Sequence, residues 1–313
     1  MFSVLSPWTV WASLVVLGVL AAYLLARRST KLETPALTKI DLLDSGEEIE
    51  ILGARIHYLQ AGRGPDIILL HGIGASLFIW RFLIPRLALH YRVTAFDLPG
   101  SGASSKEIDR DYGLDSQCNL TLEFLNRLNI REATLIGSSM GGAIALWLAK
   151  LNANRFPQVI ALAPATDPKR VPKLTPFLLP YMAPLSPHLS RVLNRPAMRL
   201  ILRRVIGRKD LITDDVVDRY LKPYRDQGQA VRAFWSSLKL LSDPRLPEGL
   251  RGLKSRTLIL YGVRDHLVTR RSVEKLSEVL PSAKIIIHAN AGHHMMESDE
   301  EWTFEEIVKF LGA

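Results

Sequence analysis

The segment Gly137-Ser138-Ser139-Met140-Gly141-Gly142 stands between a short apolar run, ATLI at 133–136, and a helical run that continues AIALWLA. A chain that passes from strand to helix this abruptly holds its central residue at strained backbone angles and brings the neighbours against other backbone. Positions two before and two after the centre are therefore best without a side chain, and Gly137 and Gly141 meet that demand. The turn also sets Ser139 at the amino end of the helix, where free N–H groups and the helix dipole favour developing negative charge.

The rest of the chain repeats this strand-then-helix rhythm. Two short strands, 49–52 and 55–60, are expected around Gly53, and the apolar runs DIILL at 66–70 and RVTAF at 92–96 each lead into a glycine-bearing loop. Helical spacing recurs over 78–89, 114–128 and 140–151, and VIALA at 159–163 reads as another strand. TLILY at 257–261, a helix over 270–280, KIIIH at 284–288 and a helix over 300–311 complete the order. Such alternation implies an α/β fold, a mostly parallel sheet with helices on both faces. Residues 167–250 break the rhythm, with prolines at 168, 172, 176, 180, 184, 187 and 196 and no strand-like run, and read as a helical lid. The expected division is a core of 47–166 and 251–313 interrupted by that lid. At 313 residues and 48% hydrophobic the chain can build a core without covalent staples, and its one cysteine, Cys118, excludes an intramolecular disulfide or a cysteine-based zinc site.

Residues 1–26 carry no charge, and the run from Trp8 to Ala26 is long enough to cross roughly 30 Å of hydrocarbon as a helix. Arg27, Arg28 and Lys31 follow the run instead of preceding it, which argues for an uncleaved anchor over a secretory signal. The expectation is a single-pass anchor at 1–28, a linker at 29–46, and a domain on the cytoplasmic, positively flanked side.

A serine hydroxyl needs a base to become a nucleophile, and the base needs an orienting carboxylate. Gly262-Val263-Arg264-Asp265 follows TLILY, and Ala291-Gly292-His293 follows KIIIH, so Ser139, Asp265 and His293 all fall in loops at the carboxyl ends of strands, where open parallel sheets place their sites. Asp167 is a rival for the acid and His294 for the base. The loop after DIILL, His71-Gly72-Ile73-Gly74, supplies the remaining need: backbone N–H groups of Ile73 and Met140 as the donors of an oxyanion hole. His71 reads as structural, Asp97 as the cap of its own turn, Cys118 as a core residue, and His57 carries no assigned role.

HGIG at 71–74, DLPGSG at 97–102, GSSMGG at 137–142, YGVRD at 261–265 and AGH at 291–293 occur in one order and spacing, and on them the chain over about 47–313 resembles the α/β-hydrolase superfamily. Methionine after the serine is similar to the esterase, monoacylglycerol-lipase and carbon–carbon bond hydrolase branches, and the anchor is similar to membrane-anchored monoacylglycerol-lipase-like enzymes. Haloalkane dehalogenases and epoxide hydrolases place aspartate where Ser139 stands, which speaks against both. The resemblance implies a Ser-His-Asp acyl-enzyme mechanism with no metal or organic cofactor.

Residues 167–250 hold sixteen Lys or Arg against eight Asp or Glu, nearly all of the +9 net charge. No nucleic-acid-binding module accompanies the charge, so no nucleic-acid partner is expected. Residues 191–209 instead mix arginines with Leu, Ile and Val as one basic amphipathic helix suited to an anionic bilayer, and the apolar stretch 176–185 suits an acyl chain. The expected function is hydrolysis of carboxylic esters, acylglycerols or other medium-to-long acyl esters. The alternatives are a carbon–carbon bond hydrolase of ring-cleavage products and a membrane-tethered binding protein with slow or no turnover.

Overall fold

Among the described residues eight strands share one sheet: β1 (Glu47–Ile51), β2 (Ala54–Ala61), β3 (Asp66–Leu70), β4 (Arg92–Phe96), β5 (Thr134–Ser138), β6 (Gln158–Leu162), β7 (Arg256–Gly262) and β8 (Lys284–His288). The computed structural model describes residues 46–107, 109–170, 175–226 and 228–312, and the side chains of 170–183 lie outside that description. The strand order is β1-β2-β4-β3-β5-β6-β7-β8. The β1/β2 and β2/β4 pairs are antiparallel and all the others are parallel. Ile67, Ile68, Leu69 and Leu70 on β3 and Leu135 and Ile136 on β5 are buried, as continuous apolar runs must be when helices cover both faces.

The helices that follow the strands are α1 (Ile84–Leu87), α2 (Leu114–Arg127), α3 (Met140–Leu151), α8 (Arg270–Val279), α9 (Met295–Ser298) and α10 (Glu300–Leu311). Helix α3 is apolar on every side, and Met140 to Ala149 are all buried, so it packs as an internal helix. Between β6 and β7 lie α4 (Thr175–Val192), α5 (Arg195–Val205), α6 (Asp214–Leu221) and α7 (Gln229–Leu241), with no strand among the described residues. There α4 packs on α7 and α5 on α6.

Two expected helices are shorter in the structure. The periodicity over 78–89 becomes a 3-10 turn, Leu77–Trp80, and then α1. Ser76 Oγ accepts from the Phe78 N–H and Asp97 Oδ1 from the Leu77 N–H, which fixes the start of the turn, while Pro85 has no N–H to continue a helix from it. The expected helix over 191–209 is only α5, because Asn194 caps a fresh start with Pro196 in its first turn and Gly207 follows at φ 81°. Much of its charge is paired within the segment: Arg195 Nε donates to Asp218 Oδ1 at 2.8 Å, and Arg199 pairs with Asp214. Leu200 and Ile201 remain exposed.

The placement in a membrane is corrected. No helix among the described residues is long and apolar enough to cross a bilayer, and the anchor at 1–28, with nearly all of the linker, lies outside those residues. The single-pass localisation is accordingly dropped. The side chains of 176–183, expected to suit an acyl chain, also lie outside.

The glycines around Ser139 are held by contact and not by local conformation alone. A Cβ on Gly141 would stand 2.1 Å from the Leu70 carbonyl oxygen and 2.5 Å from that of His71, and one on Gly137 would stand 2.2 Å from the Gly141 carbonyl oxygen. Gly53, at φ 72°, has nothing within 4 Å of such an atom. Urea denaturation should therefore separate two alanine substitutions: Gly53→Ala costs about 1 kcal/mol, the price of a left-handed alanine, whereas Gly141→Ala costs at least about 3 kcal/mol because backbone must move. Equal losses would refute the account.

Candidate active site

Ser139 joins β5 to α3 at φ 53° and ψ −114°, a conformation that a side chain makes costly and that the sharp turn imposes. Three backbone bonds hold it there: its N–H donates to Leu162 O at 2.9 Å, and its carbonyl accepts from Ala143 and Ala165 at 3.1 and 3.0 Å. Ala163, also at positive φ (43°), lets the chain after β6 bend back to the serine. Across the site the chain at Gly72 passes so close that a Cβ there would meet Ser139 Cβ at 3.1 Å. The serine is buried except for a 6% exposed edge.

Asp265 and His293 follow β7 and β8 on the same sheet edge. His293 Nδ1 donates to Asp265 Oδ2 at 2.7 Å, and Asp265 Oδ1 accepts from the Leu267 and Val268 N–H groups at 2.7 and 3.0 Å. Both side chains are buried, so the carboxylate is aimed and satisfied away from water. The rival acid, Asp167, turns to the start of α8, accepting from Ser272 Oγ at 3.2 Å and from the Lys169 N–H at 3.3 Å. The structure thus joins Asp265 to His293 directly and places Ser139 at the end of β5, two strands from β7 and three from β8, with no direct bond to His293 among the described residues.

Met140 is the first residue of α3, so its N–H belongs to the helix-end amides without an intrahelical partner. Ile73 lies in the loop that His71 fastens. His71 Nε2 accepts from the Leu98 N–H at 2.9 Å, so its proton is on Nδ1, which donates to Gly72 O at 2.7 Å. Burial pushes the pKa of His71 down despite Asp97 and the Gly72 bond. Asp97 caps more than its own turn: it takes the Leu77 and Ala103 N–H groups, both at 2.7 Å, and faces His57 Nδ1 at 3.1 Å. His57, to which the sequence assigned no role, is thus its partner. Tyr224 OH donates to Gly74 O at 3.0 Å, and with Phe234 it leaves a cavity of only about 10 Å3 beside Ile73. A wider cleft of about 520 Å3, lined by Asp167, Lys169, Arg271 and Glu274 among others, carries both charge signs. Among the described residues no group of three or more His, Cys, Asp or Glu side chains is placed to hold a metal ion.

The sequence missed a buried polar network beside His293. His294, the rival base, donates from Nδ1 to Glu297 Oε2 at 2.6 Å; Tyr220 OH donates to the same oxygen at 2.6 Å, and Arg81 pairs with Oε1. Burial pushes Glu297 up, but the Arg81 charge and these hydrogen bonds outweigh it and hold the carboxyl below its ordinary range. Burial lowers the pKa of His294. The members stand far apart in the chain, and no local periodicity links Arg81 or Tyr220 to Glu297.

Residues 65–300 match the family model described as alpha/beta hydrolase fold. The chain is 28% identical over 255 residues to the uncharacterized hydrolase YugF of Bacillus subtilis, covering 82% of this chain and 92% of that one. It is also 28% identical to the pimeloyl-[acyl-carrier protein] methyl ester esterase of Aeromonas hydrophila, over 80% of this chain and 97% of the relative. Among solved structures, the meta-cleavage product hydrolase of Pseudomonas fluorescens IP01 superposes with a TM-score of 0.70 at 22% identity, over 85% of this chain and 97% of that one.

His71 generates a pH prediction. Its folded pKa lies below the ordinary 6.5, so the unfolded chain binds more protons just below that pH and stability falls as pH drops through this window. Protonation would also remove the acceptor of the Leu98 N–H. The urea midpoint of the wild type should fall from pH 7 to pH 5, and His71→Gln, which keeps an acceptor and does not titrate, should show a shallower fall. An unchanged acid slope in the variant would remove His71 from the explanation.

Proposed function

The chain belongs to the alpha/beta hydrolase family, and from that premise we propose that it is a serine hydrolase of carboxylic esters with medium-to-long acyl groups, acylglycerols among them. The observation that carries this reading is the Asp265–His293 pair, bonded at 2.7 Å on the sheet edge where Ser139 is held at positive φ. Ser139 Oγ attacks the acyl carbon while its proton passes to His293 Nε2. Asp265, on the opposite ring nitrogen, stabilises the imidazolium and fixes the tautomer that can accept. The N–H groups of Ile73 and Met140 hold the oxyanion, a role in which losing one donor costs roughly 100-fold or more in rate. Collapse breaks the ester C–O bond, the leaving alcohol takes the proton from His293, and water repeats the sequence in reverse to free the acid.

The helices between β6 and β7 act in this reading as a cap over the sheet edge. Phe234 and Tyr224 reach the oxyanion loop from that cap, and their apolar rings suit an acyl chain better than a charged acid. The ester specificity of the Aeromonas relative agrees with the same bond being cleaved.

The test is fluorophosphonate labelling of wild type and Ser139→Ala, followed by turnover of p-nitrophenyl esters of graded length. Labelling is expected in the wild type and lost in the variant, and in Asp265→Asn the labelling rate and kcat should both fall, kcat by on the order of 10^3-fold or more. A wild type that folds yet neither labels nor turns over any ester would overturn the proposal, as would turnover confined to a ring-cleavage dienoate.

A further inference from the structure

The network around Glu297 has no part in the mechanism above, yet it touches the base and the cap at once. The Glu297 side chain is fully buried and receives three donors, two of them from remote parts of the chain: Arg81 from the segment after β3, Tyr220 from cap helix α6, and His294, three residues before it, from the loop of the base. The His294 ring stacks on that of His293, with centroids 5.5 Å apart and planes 26° from parallel. The His294 N–H donates to Val205 O, the last residue of α5, at 3.0 Å. Gly292, just before the base, lies so close to the end of the same helix that a Cβ there would stand 3.6 Å from Val205 O. The loop that presents His293 is therefore gripped by the cap through its backbone at α5 and through a side-chain hydrogen bond at α6.

Stability alone is a weak reason for this arrangement. A buried charged cluster adds little net stability over apolar packing of the same volume, because desolvation offsets its attraction, but its directional bonds fix geometry. The geometry fixed here is the face of the catalytic imidazole.

We infer that Tyr220 and Glu297 are positioning residues for His293, so that the seating of the cap and the alignment of the base are one event. The inference rests on the serine-hydrolase reading. Lifting α6 takes the Tyr220 hydroxyl from Glu297, loosens His294 and lets the His293 ring swing; seating α6 restores the donor and locks the ring.

Three variants, compared with the wild type, test this. Tyr220→Phe keeps the ring, which meets Phe78 edge-on at 5.8 Å, and removes only the hydroxyl. Glu297→Gln keeps shape and one acceptor oxygen but loses the charge facing Arg81. Val217→Ala trims packing at a fully buried apolar position of the same helix, outside the network, and leaves the Tyr220 hydroxyl in place, so it reads out lost stability without the lost donor. For the first two, kcat and the rate of fluorophosphonate labelling should fall together by about tenfold with KM within about twofold, as expected when a reacting group is misplaced and substrate binding is not. Val217→Ala should lower the melting temperature but keep kcat within about twofold. A folded Tyr220→Phe or Glu297→Gln with wild-type kcat and labelling would overturn the inference, as would a loss of kcat in Val217→Ala equal to that in Tyr220→Phe. A wild type without labelling or turnover sinks the hydrolase reading and this inference with it; an active wild type leaves only the inference at stake.

Discussion

Backbone rests on backbone where Gly141 meets the carbonyls of Leu70 and His71. No side chain cushions that contact, so α3 can start only at one height and angle above the end of β3. The proposed site is measured from it. The helix start places the Met140 amide, the turn before it strains Ser139, and the carbonyl of His71 belongs to the loop that carries Ile73. The proposed nucleophile and oxyanion donors thus share one rigid junction, and the packed interior of α3 keeps that junction from relaxing.

Around this junction the buried polar groups act as fasteners between loops. His71 ties the loop after β3 to the one after β4, and Asp97 ties the latter back to the Leu77 turn. Lys106, mostly buried, donates to the carbonyls of Gly102 and Ser104 and stands 3.8 Å from Asp226 in the cap. Burial lowers the pKa of its amine, with Asp226 and Asp97 opposing. Exposed pairs such as Lys239 with Asp111 also join cap to core, but screened by water they contribute little. The stiff connections are the buried ones, and they converge on the edge where the site lies.

The sequence made much of this legible because sharp turns and continuous apolar runs are local facts. GSSMGG demanded the strained serine, and DIILL, RVTAF and KIIIH appear as strands over the same residues. Periodicity overran where a proline or a cap intervened, as at Pro85 and Asn194, since apolar spacing alone does not register a missing N–H or a new helix start. The doubled histidine was ambiguous for another reason. His293 meets Asp265 and His294 meets Glu297, and which carboxylate each one meets is visible only in the folded chain. The Arg81–Glu297–Tyr220 cluster was invisible because its members meet across more than two hundred residues in one case and seventy-seven in another.

The parallel pairing of β6 with β7, Val159 beside Thr257 through Leu162 beside Leu260, spans the whole helical segment inserted between them. Ser139 belongs to the portion of the chain before that segment, and Asp265 and His293 belong to the portion after it. On the proposed mechanism neither portion holds a complete set of reacting groups, so the long loop closure that pairs β6 with β7 is also what unites them. A chain that had formed only its amino-terminal half-sheet would, on that mechanism, be chemically silent.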